Sequence, residues 1–338
     1  MEILQNQSLR PLNTFDIDAQ CSYLLRYDSL EDLKLLQRDE FVAKSKTLII
    51  GEGSNMLFLA NFHGIVLVSG MKEISPARPG QGVDIYLEVD GGVSWDSLVA
   101  HCVQQGFYGT ENLSLIPGTV GAAARQNIGA YGVELSSLVE WVDAFDLSTG
   151  EQRRFAVSEL CYAYRYSVFK EPDMQKWVIY RVCLRLSTDY RPNLAYADLA
   201  GYFKGKALPT AAQLREAVIE IRNNKLPEVG KVGSAGSFFM NPILENTQLI
   251  RLLQIAPDVT YYPLSDGRAK VSAAWLIDHA GLRGYRNGAV GVWDRQALVL
   301  CNYGGGTGTQ IGELASHVQQ VVKEKYGVDL QPEVNYVC

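Results

Sequence analysis

The stretch Ile116-Pro-Gly-Thr-Val-Gly-Ala-Ala-Ala-Arg-Gln-Asn-Ile-Gly-Ala-Tyr-Gly132 sets four glycines and a run of alanines into seventeen positions. So few large side chains cannot build a core of their own, and the segment must lie against something else. Glycine admits positive φ and lets backbone approach a ligand closely. Ile116, Val120 and Ile128 argue for order rather than a flexible loop. The pattern predicts backbone lying flat against a large planar or diphosphate-bearing ligand. A second cluster, Gly51-Glu-Gly-Ser-Asn-Met56, follows the short apolar strand Thr47–Ile50. A G-x-G turn there can bring backbone N–H groups to a diphosphate. It lacks the third glycine of a dinucleotide fingerprint and the G-K-[ST] of a phosphate-binding loop. On its own it also reads as a tight strand-ending turn. The two clusters together predict a two-loop nucleotide site.

Composition removes several other classes. At 338 residues the chain exceeds what one hydrophobic core sustains, about 250–300 residues, so two or three domains are expected. With 47% hydrophobic and 20% charged residues it is an ordinary globular sequence, not a disordered one. A net charge of −6 argues against a general nucleic-acid binder but leaves room for a local cationic pocket. No window approaches 18 apolar residues, so no membrane span is expected. The opening residues lack a basic stretch followed by an apolar one, which speaks against secretion. The six cysteines are scattered without a C-x-x-C, as reduced cytoplasmic thiols would be. The four histidines are isolated, so no metal site is expected.

Helix and strand signals are interspersed, which places the fold in the α/β or α+β class. Ser29 can cap a helix carrying Leu30, Leu33 and Leu36. Gly64–Ser69 and Asp84–Asp90 read as strands, the latter with Ile85, Leu87 and Val89 on one face. Trp95, Leu98, Val99, Cys102 and Val103 form the stripe of a helix stopped by Gly106. Val142–Phe155 reads as a hairpin turning at Ser148-Thr149-Gly150, and Val178–Leu186 as a further strand. Thr210-Ala-Ala-Gln213 is a capping-box pattern opening another helix. Leu298–Leu300 is a strand, and Gly304-Gly-Gly-Thr-Gly308 a surface loop before a last helix through Ile311, Leu314, Val318 and Val322.

Four segments could carry chemistry. Tyr162-Ala-Tyr-Arg-Tyr-Ser167 surrounds Arg165 with aromatic rings that could hold a guanidinium beside an anion, or form a surface cation–π cluster. Gly233-Ser-Ala-Gly-Ser-Phe-Phe-Met-Asn-Pro242 presents Ser237 outside any G-x-S-x-G elbow. A nucleophile is not indicated, whereas a proton-donating hydroxyl or a serine-capped turn is. Arg222 and Lys225 end a helix, where cations suit the dipole in any case. Glu333, in an apolar tail, reads as a satisfied edge residue or a partly buried acid or base.

Several of these segments, in order, resemble the UDP-N-acetylmuramate dehydrogenases, also called UDP-N-acetylenolpyruvoylglucosamine reductases, in their longer type I form. The matching pieces are Gly51-Glu-Gly-Ser-Asn55, Ile116-Pro-Gly118, Gln126-Asn-Ile-Gly-Ala-Tyr-Gly132, Tyr164-Arg165, Arg222 with Lys225-Leu-Pro227, Ala235-Gly-Ser-Phe-Phe239 with Asn241-Pro242, Trp275-Leu-Ile-Asp278, Gln296-Ala-Leu298 and Pro332-Glu-Val334. The resemblance implies an α+β fold of three lobes. Residues 1–70, joined by the tail 328–338, and residues 71–214 would form a two-part FAD-binding domain of the vanillyl-alcohol-oxidase type. Residues 215–327 would form the substrate domain. It implies a monomeric cytoplasmic enzyme with tightly bound, non-covalent FAD, using NADPH and UDP-N-acetylglucosamine enolpyruvate in turn.

By position, the resemblance assigns Ser237 as the acid that protonates C2 after hydride reaches C3 of the enol ether. Arg165 and Glu333 would polarise the carboxylate, with Glu333 sharing a proton so that it helps rather than repels. Tyr196 corresponds to the type I tyrosine that closes over the UDP group. Lys225, Asn241 and Gln296 correspond to substrate contacts. The FAD contacts would be Gly51, Glu52, Gly53, Ser54, Asn55 and Met56 in the first loop. In the second they would be Pro117, Gly118, Thr119, Gly121, Ala122, Gln126, Asn127, Ile128 and Gly129, with Arg222 beyond. One departure stands out: where the family has proline followed by Val or Ile, this chain has Ala124 and Arg125. Loss of the proline is expected to loosen the loop. Arg125 is expected to face either the FAD diphosphate or solvent.

Overall fold

The computed structural model describes every residue except Val229. The chain forms two compact units. The first comprises residues 1–7, 21–52 and 63–222; the second comprises residues 8–20, 53–62 and 223–338.

The first unit holds two sheets and two cores, the core beside the first sheet also taking in Phe145 and Val178 from the second. A four-stranded sheet runs in the order Glu2–Ser8, Gln20–Tyr27, Phe62–Ser69, Thr47–Ile50, the last two strands parallel. Helix Leu30–Arg38 packs beside it. The Ser29 hydroxyl accepts from the Asp32 N–H at 3.1 Å, satisfying one of the donors a helix start leaves free. Leu33 and Leu36 from that helix join Leu25, Tyr27, Ile65 and Leu67 in one core. The second sheet is antiparallel, in the order Gln152–Ala156, Val139–Asp146, Trp177–Ser187, Asp84–Asp90, Arg78–Pro79. The expected hairpin is there, with Val142 opposite Phe155. Period-two alternation buries Leu87 and Val89 against helix Trp95–Gln105, which Gly106 terminates at φ 71°.

The glycine-rich segment differs from the flat backbone expected of it. Its middle folds into a helix, Val120–Gln126, with Val120, Ala123 and Ala124 buried. Alanine has the best helix propensity of any residue, and three in a row carry the turn. Gly121 is where this helix crosses the sheet. Its N–H donates to the Gly91 carbonyl at 2.9 Å, and a Cβ there would sit 3.0 Å from the Ile179 carbonyl oxygen.

The second unit is assembled from distant stretches of chain. Met56–Phe58 pairs in parallel with Asn335–Val337. A four-stranded sheet runs Gly233–Ser237, Val299–Asn302, Val290–Val292, Arg286–Asn287. Helix Gly308–Tyr326 covers it with Ile311, Leu314, Val318 and Val322, opened by a reciprocal Thr307–Gln310 capping box. The glycine run ahead of it is a surface loop only in part: Gly304 and Gly305 are exposed, whereas Gly306 and Gly308 are buried. A Cβ on Gly308 would lie 1.8 Å from the Phe58 carbonyl oxygen, so only glycine allows that approach.

Candidate active site

In the first unit the two glycine clusters meet. The Glu52 carboxylate accepts from the Gly118 N–H at 2.9 Å, and a Cβ on Gly51 would fall 2.6 Å from Thr119 Oγ1 and 3.1 Å from Ala122. Absence of a side chain at Gly51 therefore lets one loop rest on the other. Thr119 caps helix Val120–Gln126, and its backbone bridges to Ser94. Leu115, just ahead of Ile116-Pro117-Gly118, is held at φ 59°. Its N–H donates to Asp96, whose carboxylate also takes both Nη1 and Nη2 of Arg215 at 2.7 and 2.8 Å. Although burial works against its charge, the Arg215 and Leu115 hydrogen bonds hold Asp96 below the ordinary carboxylate range.

Arg165 is the third residue of the tight turn Ala163–Tyr166. Ala163 and Tyr166 exchange both backbone hydrogen bonds, at 3.0 and 3.1 Å, and Arg165 stands at φ 56°. A left-handed non-glycine residue costs about 1–2 kcal/mol and persists only where its surroundings impose it. Here they do. The Arg165 Nη2 donates to the Gly129 carbonyl at 2.7 Å, and Lys170 Nζ donates to the Arg165 carbonyl at 2.6 Å. Asn127, fully buried and itself left-handed at φ 47°, donates from Nδ2 to the Ala163 carbonyl at 2.8 Å and accepts from Ser136 N–H at 2.9 Å. The Arg165 loop is thus tied to the glycine-rich segment at several points.

Two more elements join this side. Asn112, 2% exposed, donates to the carbonyls of Tyr131 and Asn193, fastening the glycine segment to the stretch that leads to Tyr196. Tyr196 then packs edge-on against Tyr131 with ring centroids 5.3 Å apart. Tyr131 is pushed up to about 12, chiefly by burial, with the Arg222 charge opposing. Arg222 Nε is fully buried with no hydrogen-bond partner, and burial lowers the pKa of that guanidinium. A buried donor without an acceptor is costly, and a bound anion would relieve it. Gly51 and Gly121 give up their side chains to close contacts within the chain, so the buried Nε of Arg222 is the group in this unit that calls for an anion.

The second unit brings Ser237, Gln296, Glu333 and Asn55 together through backbone ladders. Ser237 ends strand Gly233–Ser237. The next residue, Phe238, donates to the Leu298 carbonyl at 2.7 Å and accepts from Glu333 N–H at 2.8 Å. Ser237 therefore lies next to the segment Gln296–Leu298 on one side and Glu333 on the other. The Glu333 carbonyl takes the Asn55 side-chain N–H at 3.1 Å, and the Asn55 carbonyl takes Asn335 N–H at 3.0 Å. Asn241 accepts from Ala273 N–H at 2.9 Å. Gly53, at φ 64°, presses on Leu12, whose carbonyl oxygen a Cβ would meet at 1.8 Å. Ser54, Met56, Gln126, Ile128 and Lys225 are half-buried and Pro117 is exposed.

Arg125 turns neither outward nor into open space. Its Nη1 donates to the Phe169 carbonyl, and its own carbonyl accepts from the buried Ser167 hydroxyl at 2.6 Å. Among the described residues no group of three or more metal-ligating side chains occurs, and no helix is long and apolar enough to cross a membrane. None of the six cysteines is in a disulfide.

Two sequence family profiles match separate stretches of the chain. Residues 23–156 match a profile described as an FAD binding domain, and residues 227–337 match the C-terminal domain of UDP-N-acetylenolpyruvoylglucosamine reductase. The fold and these matches define a flavoprotein of mixed α+β architecture with FAD as its cofactor. The chain is 47% identical over 338 residues to the UDP-N-acetylenolpyruvoylglucosamine reductase of Porphyromonas gingivalis, covering the whole of both. It is 41% identical over 344 residues to that of Pseudomonas aeruginosa, covering 99% of each. The solved reductase of Thermus caldophilus superposes with a TM-score of 0.68 at 22% identity, over 100% of this chain and 98% of that one. The chain belongs to the UDP-N-acetylenolpyruvoylglucosamine reductase family, flavin-dependent oxidoreductases of peptidoglycan-precursor synthesis that take reducing equivalents from NADPH.

Proposed function

We propose that this chain reduces UDP-N-acetylglucosamine enolpyruvate to UDP-N-acetylmuramate, with Arg165, Ser237 and Glu333 as its catalytic residues. The observation that carries the reading is the adjacency of Ser237 and Glu333 on neighbouring backbone segments, joined through Phe238. FAD, when bound, supplies the relay that accepts hydride from NADPH and delivers it to C3 of the enol ether. Gly51–Met56, Pro117–Ala122, Gln126–Gly129 and Arg222 would hold it. Ser237 gives its hydroxyl proton to C2 as negative charge builds there. Arg165 offsets the charge spreading onto the substrate carboxylate, and its pinned guanidinium needs little reorganisation to do so. Glu333 shares a proton with that carboxylate. Tyr196 closes over the nucleotide, and Lys225, Asn241 and Gln296 take the diphosphate and sugar.

The three-lobe division, with residues 1–70 and 328–338, 71–214 and 215–327 as functional parts, belongs to the same reading. So do a monomeric state and a cytoplasmic location. The test separates the half-reactions under anaerobic conditions. NADPH should bleach the bound flavin, and the enolpyruvyl substrate should restore its colour. Ser237→Ala should keep the first step and slow the second by about 10²–10⁴-fold. Restoration at the parent rate removes Ser237 from the chemistry, and a flavin that the substrate never restores overturns the assigned reaction.

A further inference from the structure

The Arg165 turn is bound to the end of helix Val120–Gln126 by three contacts within one unit. Asn127 Nδ2 holds the Ala163 carbonyl ahead of the turn. After the turn, the Ser167 hydroxyl donates to the Arg125 carbonyl, and Arg125 Nη1 donates to the Phe169 carbonyl. Asn127 lies in the motif that resembles the family, but Arg125 stands where the family places Val or Ile. An aliphatic side chain there cannot donate a hydrogen bond. The short helical turn Val168–Lys170 follows directly, and its Lys170 Nζ holds the Arg165 carbonyl at 2.6 Å. Arg125 therefore grips the segment that in turn grips Arg165.

The electrostatic setting is unusual for an arginine. Burial alone pulls its pKa down, and among the described residues no neighbouring carboxylate counters that. A partly buried guanidinium satisfied by a carbonyl and no anion is a poor device for overall stability. It is a good device for direction: a planar fork aimed at one carbonyl fixes that carbonyl's position.

We propose that Arg125 is a positioning residue that staples the Ser167–Lys170 segment to helix Val120–Gln126 and so holds Arg165 in its left-handed conformation. The inference rests on the reading of Arg165 as the group facing the substrate carboxylate. It commits to an effect confined to one turn and one half-reaction.

The test compares Arg125→Met and Arg125→Lys in the flavin-loaded protein. Arg125→Met should exchange the Val168 and Lys170 amides, which donate to Leu160 and Ser167, roughly tenfold faster, with the surrounding sheet unchanged. Flavin reduction by NADPH should stay within about twofold of the parent, and re-oxidation by the enolpyruvyl substrate should slow about tenfold. Arg125→Lys, which keeps one donor for the Phe169 carbonyl, should recover part of that loss. The melting temperature of Arg125→Met should hold or rise, because an unpaired buried charge is removed. Unchanged amide exchange overturns the staple, as does a large fall in melting temperature with both half-reactions slowed alike. Arg165→Met separates this inference from the reading beneath it. Parent-like re-oxidation in Arg165→Met removes the role of Arg165, whereas unchanged exchange in Arg125→Met removes the staple alone.

Discussion

Each unit contains a buried asparagine that organises a glycine-bearing loop, and the two make different things of it. In the first, Asn127 ties Ala163 and Ser136 to the end of a helix. In the second, Asn302, 1% exposed, donates to the carbonyls of Phe15 and Gly306 and accepts the N–H groups of Gly304 and Gly306 at 3.1 and 2.9 Å. A single amide satisfies four backbone groups there. The loop around Asn302 leads only into helix Gly308–Tyr326. The loop tied by Asn127 carries Arg165, a cation held in a conformation its side chain disfavours. A buried amide with several backbone partners therefore marks a rigid loop and says nothing by itself about chemistry. Function depends on what the rigid loop presents.

The comparison breaks first at Arg165. Arg165→Met should slow flavin re-oxidation by about 10²–10³-fold while leaving flavin content and NADPH-driven reduction near the parent values, as stopped-flow absorbance reads directly. If Asn127 and Asn302 differ only in what they hold, Asn127→Ala and Asn302→Ala should each lose about 2–4 kcal/mol of stability by stranding buried backbone groups. Urea melts would measure that loss. In the fraction that remains folded, Asn302→Ala should turn over within about twofold of the parent and Asn127→Ala at least tenfold slower. Equal turnover in the two variants would dissolve the distinction.

Paired alanine insertions probe the same contrast more gently. A Cβ at Gly129 would meet Arg165 Nη1 at 2.9 Å, Glu134 Cγ at 3.0 Å and the Val133 carbonyl oxygen at 3.1 Å. Gly129→Ala should therefore cost about 1–2 kcal/mol and slow re-oxidation by roughly 3–10-fold, by displacing the guanidinium. A Cβ at Gly306 would meet Asn302 Oδ1 at 2.7 Å and Val290 Cγ1 at 2.8 Å. Gly306→Ala should cost about 1–3 kcal/mol and leave turnover unchanged. The smallest effect concerns Glu111, buried beside Cys102 and Tyr190. Burial raises its pKa above the ordinary 4.5, the Gly109 N–H only partly offsetting this. The folded state thus binds its proton more tightly than the unfolded chain does. That contribution is present below pH 4.5 and fades as pH rises through the folded value. Glu111→Gln should accordingly melt higher than the parent at pH 8, with the gap shrinking toward pH 4.5.

Much of this was legible in the residue order. Period-two alternation marked Asp84–Asp90, capping patterns marked Ser29 and Thr210, and the ordered motifs named the family. Three things were not. The helix Val120–Gln126 hides among glycines because its stabilising contacts come from Gly91 and Ile179, far away in sequence. The run Gly304–Gly308 read as surface, yet Gly306 and Gly308 are buried against Asn302 and Phe58. The ties made by Asn127, Asn112 and Asp96 depend on which carbonyls and N–H groups the fold brings to them. Polar residues look alike in sequence whether they meet water or a buried backbone group. Arg125 illustrates the limit most sharply: its departure from the family pattern was visible, but its partner at Phe169 was not.

The parallel pairing of Met56–Phe58 with Asn335–Val337 has a consequence for how the molecule comes into being. Every residue of the first unit has been synthesised by position 222, so that unit can emerge and fold while synthesis continues. The second unit cannot. Its early pieces, residues 8–20 and 53–62, must wait for a strand made almost 280 positions later, and closing so long a loop slows assembly. During that interval Leu57 and Phe58, fully buried at the end, lack their cover. Ser237 and Glu333 likewise gain their shared backbone frame only when the final strand docks. The chain can thus complete its first unit early and the Ser237–Glu333 frame only last, and a nascent chain halted before residue 335 would carry the first without the second.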